Sequence, residues 1–131
     1  DKEVKFYQND MLFGGNSYKQ ENTEYFPDDQ HIIKKTKTLD TIVKEKGYML
    51  PDLIKIDVQG AELDILKGGI ETIKNAKYLL IELQHINYNK DAPLAHVTID
   101  WLESHGFKCI VPRFSDNGHV DSDYCFKNTK I

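Results

Sequence analysis

The chain has 131 residues, of which 40% are hydrophobic and 29% charged, a composition that fits one globular domain or part of one and excludes a repeat array or a disordered segment. Its formal net charge is -4 and no basic block exceeds a pair such as Lys34-Lys35, so the electrostatic footprint of a nucleic-acid binder is absent. No window approaches ~18 uninterrupted apolar residues and no basic start precedes an apolar run, so neither a membrane span nor a signal peptide is expected.

Val4-Lys5-Phe6-Tyr7 alternates like a half-buried strand. The next two dozen residues hold Gly14-Gly15-Asn16-Ser17 and then Tyr18 to Gln30, polar and aromatic without helical period, and read as a long loop. Loops of that length serve as lids or binding segments, or are disordered. Gly14-Gly15-Asn16-Ser17 reads as a plain turn, with an anion cradle of backbone N–H groups as the alternative; its spacing fits no P-loop or dinucleotide fingerprint. His31 to Thr36 is a second strand. Leu39, Ile42 and Val43 mark a short helix with Thr38 as N-cap and Gly47 as its stop, and Pro51 breaks the chain.

Leu53 to Val58 is too short and too β-branched for a free helix, and its near-continuous apolarity predicts a parallel strand covered on both faces. Asp57 falls at the carboxyl end, where open α/β sheets bind ligands. Gly60 permits a tight turn, and Leu63 and Leu66 share one face of a helix stopped by Gly68-Gly69, after which Ile70 and Ile73 carry another helical turn to about Ala76. Tyr78 to Leu83 follows as another continuously apolar run, closing on a carboxylate, Glu82, as the first run does. Asp91 precedes an amphipathic helix with Leu94, Val97, Trp101 and Leu102 on one stripe and Gly106 at its end. Phe107 to Val111 and Tyr124 to Phe126 close the pattern as two strands, with Ser115-Asp116-Asn117-Gly118 as the hairpin turn. The order predicts an α/β sheet, mostly parallel, with an antiparallel final strand at or near one edge.

Two strands ending in Asp57 and Glu82 would bring two carboxylates to one rim, with Glu62 on the adjoining helix and His85 three residues past Glu82. Such a set can hold a hard divalent cation, or can position and deprotonate a substrate hydroxyl. For the latter, the ordinary histidine pKa of about 6.5 suits His85, and like charges held close raise one carboxylate into the same range. The plainer alternative is that these carboxylates cap helices or pair with Lys55, Lys67 or Lys90. His31, His96, His105 and His119 have no partner pattern and read as surface or packing residues. Cys109 and Cys125 read as reduced, buried small hydrophobes in a cytoplasmic setting, with a disulfide or metal pair as the alternative. No HExxH, CxxC or GxSxG pattern occurs, so zinc-hydrolase and nucleophilic serine or cysteine mechanisms have no sequence support.

Thr38-Leu39-Asp40, then Lys55-Ile56-Asp57-Val58-Gln59-Gly60-Ala61-Glu62 through Leu66-Lys67-Gly68, Leu80-Ile81-Glu82 and the closing Asp123-Tyr124-Cys125-Phe126 resemble the C-terminal half of the FkbM-type S-adenosylmethionine-dependent methyltransferases. That family typically has Glu where this chain has Gln59. The resemblance implies a Rossmann-like methyltransferase sheet and methyl transfer to an oxygen, often on a sugar or secondary metabolite. It assigns Asp57, Glu62, Glu82 and His85 to the catalytic and acceptor rim, and Gly15 and Ser17 to a glycine/serine segment on the cofactor side. The glycine-rich turn and acidic strand end that bind the cofactor in this class do not occur in the sequence. Residues 1–131 are therefore expected to be the C-terminal portion of a single domain lacking its N-terminal cofactor-binding strands, with the Leu53 strand an unpaired edge open to self-association.

Three functional readings follow: a methyltransferase acting on a small-molecule hydroxyl with S-adenosylmethionine, a divalent-metal hydrolase or transferase using Asp57, Glu62 and Glu82, and a non-catalytic half-domain that pairs with another chain.

Overall fold

The structure, a computed structural model, describes residues 2–131, with the side chains of residues 114–117 outside that description. Its elements run β1 (Lys2–Tyr7), a 3-10 turn (Phe13–Gly15), β2 (His31–Thr36), α1 (Leu39–Lys46), β3 (Leu53–Ile56), α2 (Glu62–Gly68), α3 (Ile70–Ile73), β4 (Tyr78–Gln84), α4 (Ala95–Ser104), β5 (Phe107–Asn117) and β6 (Asp121–Asn128). No helix among the described residues is long and apolar enough to cross a membrane.

Local signals set the helix ends as the sequence predicts. Thr38 Oγ1 accepts the Thr41 N–H at 3.1 Å, and Gly47 ends α1 at φ 63°. Asp40, in the first turn of α1, reaches across to α3 and accepts the backbone N–H of Glu71 at 3.0 Å and of Thr72 at 2.8 Å. Burial would raise the Asp40 carboxyl, but these donors and the Thr72 hydroxyl outweigh it and hold the group below its ordinary value.

β3, β4, β6 and β5 form a four-stranded sheet in that order, parallel between β3 and β4 and antiparallel in the other two pairings. The α/β reading holds, with one parallel β3–α2–α3–β4 unit where a mostly parallel sheet is expected. The final strand β6 is antiparallel and lies inside the sheet, because β5 takes the edge. β1 and β2 do not join it; they pair antiparallel with each other as a separate two-stranded sheet.

That separation leaves β3 the open edge expected of it, and what it overturns is the expectation that the strand is covered on both faces. With a neighbour on one side only, it is an edge strand whose Ile56 is buried while Leu53 is 56% exposed. In β4 the alternate residues Leu79, Ile81 and Leu83 sink into one cluster with Leu66, Ile73, Leu102, Tyr124 and Phe126, while Tyr78 on the opposite face stays exposed. Apolar runs that read as buried on both faces are here buried mainly on one. The α4 stripe is likewise shifted: Ala95, Thr98 and Leu102 point inward, and Val97 is exposed. The turn expected at Ser115-Asp116-Asn117-Gly118 lies further on, because the backbone of Ser115, Asp116 and Asn117 continues β5 and pairs with Asp123, Ser122 and Asp121 of β6. β5 and β6 are joined across Gly118-His119-Val120.

The segment between β1 and β2 is packed onto the molecule. Phe26 is 1% exposed. Asn89, fully buried in the loop after β4, donates to the Lys19 carbonyl at 2.6 Å and accepts from Gln84 Nε2 at 2.6 Å. Asn22 N–H to the Tyr88 carbonyl and Lys90 N–H to the Gln20 carbonyl, both 2.7 Å, complete the clasp.

Candidate active site

The site begins where β3 ends. The chain leaves Ile56 through Asp57-Val58-Gln59-Gly60 and enters α2, with Gln59 at φ 56° and Gly60 at φ 100°. A side chain at Gly60 would strike Ala92 Cβ at 2.9 Å and Asn89 Cβ at 3.0 Å, so the position needs both the left-handed backbone and the missing Cβ.

Two side chains hold this turn from opposite sides. Glu62 Oε1 accepts the N–H groups of Gly60 at 3.1 Å and Val58 at 3.3 Å. Ser17 Oγ directs its hydrogen at the carbonyls of Gln59 and Val58, 3.0 and 3.2 Å away, and accepts the Lys19 N–H at 3.1 Å. Burial raises the Glu62 carboxyl above its ordinary value, against the pull of those backbone donors. Glu62 is 5% exposed and Ser17 3%, so both act on the turn from within the fold.

Asp57 and Glu82 come together as expected, at the ends of neighbouring parallel strands. The Ile56–Ile81 pairing puts them side by side, and Gln59 Nε2 bridges the two carboxyl groups, donating to Asp57 Oδ1 and Glu82 Oε2, each at 3.2 Å. Glu82 also faces Asp123 across β6, with Asp121 nearby on the same face. Burial first, then the neighbouring Asp57 carboxyl and the charges of Asp121 and Asp123, push Glu82 up to about 8. A carboxyl group near neutrality is a proton acceptor of useful strength.

His85 does not join that set. It follows Gln84 on the other face of β4, where its Nε2 lies 2.8 Å from Ser122 Oγ and 3.4 Å from the Tyr124 hydroxyl. Gly15 also faces inward: a Cβ there would lie 2.8 Å from Glu21 Oε2 and from Phe26 Cζ.

Gln59 and Glu82 open onto a cleft of about 420 Å³, whose walls include Tyr25, Phe26, Tyr88, Glu21 and Asp121. Sequence reasoning does not reach Glu21 or Tyr88, because they come from separate loops and have no mutual spacing. Asp121 and Asp123 alternate on one strand face at the start of the Asp123-Tyr124-Cys125-Phe126 run, which is the signal that could have found them. Among the described residues no group of three His, Cys, Asp or Glu side chains is arranged to hold a metal ion, so the divalent-metal reading gains no geometric support.

The family model described as the methyltransferase FkbM domain matches residues 2–109. Over 104 residues the chain is 34% identical to 2-O-methyltransferase NoeI of Sinorhizobium fredii (strain NBRC 101917 / NGR234), covering 79% of this chain and 40% of that protein. Over 74 residues it is 32% identical to AMB antimetabolite synthetase AmbE of Pseudomonas aeruginosa, covering 56% of this chain and 4% of that protein. The chain thus spans well under half the length of the curated relatives it matches. No solved structure matches it.

Proposed function

Because the chain belongs to the FkbM methyltransferase domain family, we propose that it forms the acceptor side of an S-adenosylmethionine-dependent O-methyltransferase acting on a hydroxyl of a sugar or other small metabolite. The observation that carries this reading is the Asp57–Glu82 pair bridged by Gln59, with Gln59 and Glu82 facing the cleft and Glu82 raised to about 8. The activity for which NoeI is named, 2-O-methyl transfer, supports oxygen as the receiving atom. Free Cys109 and Cys125 support a reducing, cytoplasmic setting.

The cofactor supplies a methyl group already activated on a sulfonium centre. The Ser17 hydroxyl does not fit as its holder, being committed to the Val58–Gln59 turn, and Gly15 brings only backbone to the cleft wall, where a Cβ would strike Glu21 and Phe26. No residue of this chain is assigned to it. The chain's own part is alignment and proton uptake. An acceptor hydroxyl against Glu82 donates its hydrogen to the ionised carboxylate and points a lone pair away from the sheet. Glu82 receives the proton, and Gln59 fixes the orientation of both carboxyl groups through its two 3.2 Å contacts. Glu62 and Ser17 serve as positioning residues that fix the turn carrying Asp57 and Gln59.

The test pairs calorimetry with methyl incorporation. The full-length protein should bind S-adenosylmethionine or its demethylated product and methylate a hydroxyl acceptor, and Glu82→Gln in it should keep cofactor binding while losing transfer by roughly 100-fold or more. Absence of both binding and transfer, or wild-type transfer by Glu82→Gln, overturns the reading.

A further inference from the structure

Glu21 is 6% exposed, yet only one of its carboxylate oxygens is hydrogen-bonded among the described residues. Oε1 accepts from the Thr23 hydroxyl at 2.6 Å and from the Tyr88 hydroxyl at 2.9 Å. Burial, followed by the neighbouring Glu21 carboxylate, pushes the Tyr88 phenol up to about 12, so it stays a donor at any working pH. Oε2 turns to the side of Gly15, where the cleft opens, and has no donor there. Oε2 is thus a part of this otherwise buried side chain that solvent reaches, an acceptor held in place by the two bonds to Oε1 and able to exchange water for a donor on a ligand.

The rest of the cleft narrows the class of donor. Glu82, Asp121 and the Gln59 amide face the same space, Tyr25, Phe26 and Tyr88 give it aromatic surface, and no Lys, Arg or His lines it among the described residues. A phosphate or carboxylate on the ligand would meet only like charge. A ring with several hydroxyls can stack on the aromatic surface and donate to the acceptors around it.

We propose that Glu21 is an acceptor-binding residue, taking a hydrogen bond at Oε2 from a second hydroxyl of the ring whose first hydroxyl faces Glu82, and that the cleft selects uncharged saccharide units over phosphorylated ones. The proposal rests on the methyl-transfer reading for the identity of the cleft. It adds the residue and the charge rule that choose the acceptor.

The experiment reads binding apart from chemistry. Saturation-transfer NMR is run on the protein with methyl glycosides of the common hexoses and 6-deoxyhexoses, and with the matching hexose 1-phosphates. At least one methyl glycoside should bind, and its phosphate counterpart should bind at least tenfold more weakly. Glu21→Gln, near-isosteric and able to keep the Tyr88 and Thr23 contacts, should weaken the neutral ligand about tenfold and shrink the gap to the phosphate. Thermal unfolding confirms that the variant is folded, and Tyr88→Phe, which releases Oε1 without touching the chain of Glu21, should give a smaller loss in the same direction. Equal binding of phosphates, or unchanged glycoside binding in folded Glu21→Gln, overturns the proposal. If the binding pattern holds but no methyl group is ever incorporated, the methyltransferase reading fails while the role of Glu21 stands.

Discussion

The side-chain amide of Gln59 donates to Glu82 Oε2 at 3.2 Å from a backbone held at φ 56°. Gln59→Glu removes this donor and sets another acid against a carboxyl already raised to about 8. The alkaline shift this causes should cut methyl transfer at pH 7 by roughly tenfold for each further unit. A pH–rate profile checks it: the rising limb moves to higher pH in the variant, and an unmoved limb refutes the coupling.

Glu82 also makes stability depend on pH. Its value in the folded chain, about 8, lies above the ordinary 4.5, so the folded state holds the proton more tightly than the unfolded chain. The stabilisation is complete below about 4.5 and is lost as pH rises through about 8. Glu82→Gln imitates the protonated group at every pH. It should therefore narrow the difference in unfolding free energy between pH 5 and pH 9 by about 1–2 kcal/mol, a figure discounted for solvent at a half-buried group. Urea unfolding at the two pH values measures the difference, and an unchanged one counts against the raised carboxyl.

Glu62 is expected to matter through the turn it holds. Glu62→Ala leaves the buried N–H of Gly60 and the N–H of Val58 without their acceptor and should cost about 1–3 kcal/mol, with loss of activity following from the displaced Asp57 and Gln59. Glu62→Gln keeps an acceptor oxygen and should recover most of both. If Glu62→Gln instead stays fully stable but loses transfer as completely as Glu82→Gln does, Glu62 takes part in the chemistry directly.

The open side of β3 is expected to associate with a second copy. Leu53 is 56% exposed on an edge strand, beside Leu50 and Met49 at 53% and 92%. Exposed apolar edges pair with other strands, and a lysine on the edge suppresses this. Sedimentation of the 131-residue chain should show concentration-dependent association that Leu53→Lys reduces. A monomer at all concentrations argues against this surface as an interface.

Much of this architecture is legible in the residues because it is fixed locally. Thr38 and Gly47 bound α1, Gly60 marks the turn, and two apolar runs bring Asp57 and Glu82 to one rim. What stays hidden depends on pairing at a distance. Nothing in β1 or β2 says that they pair with each other as a separate sheet, and nothing in the Leu53 run says that a strand read as covered on both faces leaves its start exposed. His85 reads as a neighbour of Glu82 by count, but a strand turns successive side chains to opposite faces, and three residues on it meets Ser122 instead. Glu62 announces a carboxylate without saying that its charge is turned inward to backbone N–H groups.

The Asn89 clasp bears on how a ligand enters. Because Asn89 joins Lys19 to Gln84 inside the fold, the stretch carrying Glu21 and Tyr25 cannot swing outward without breaking buried hydrogen bonds. The recess is thus assembled before anything occupies it, and association requires little ordering of the chain. Discrimination between acceptors should accordingly appear in how long each one stays, with arrival rates nearly alike.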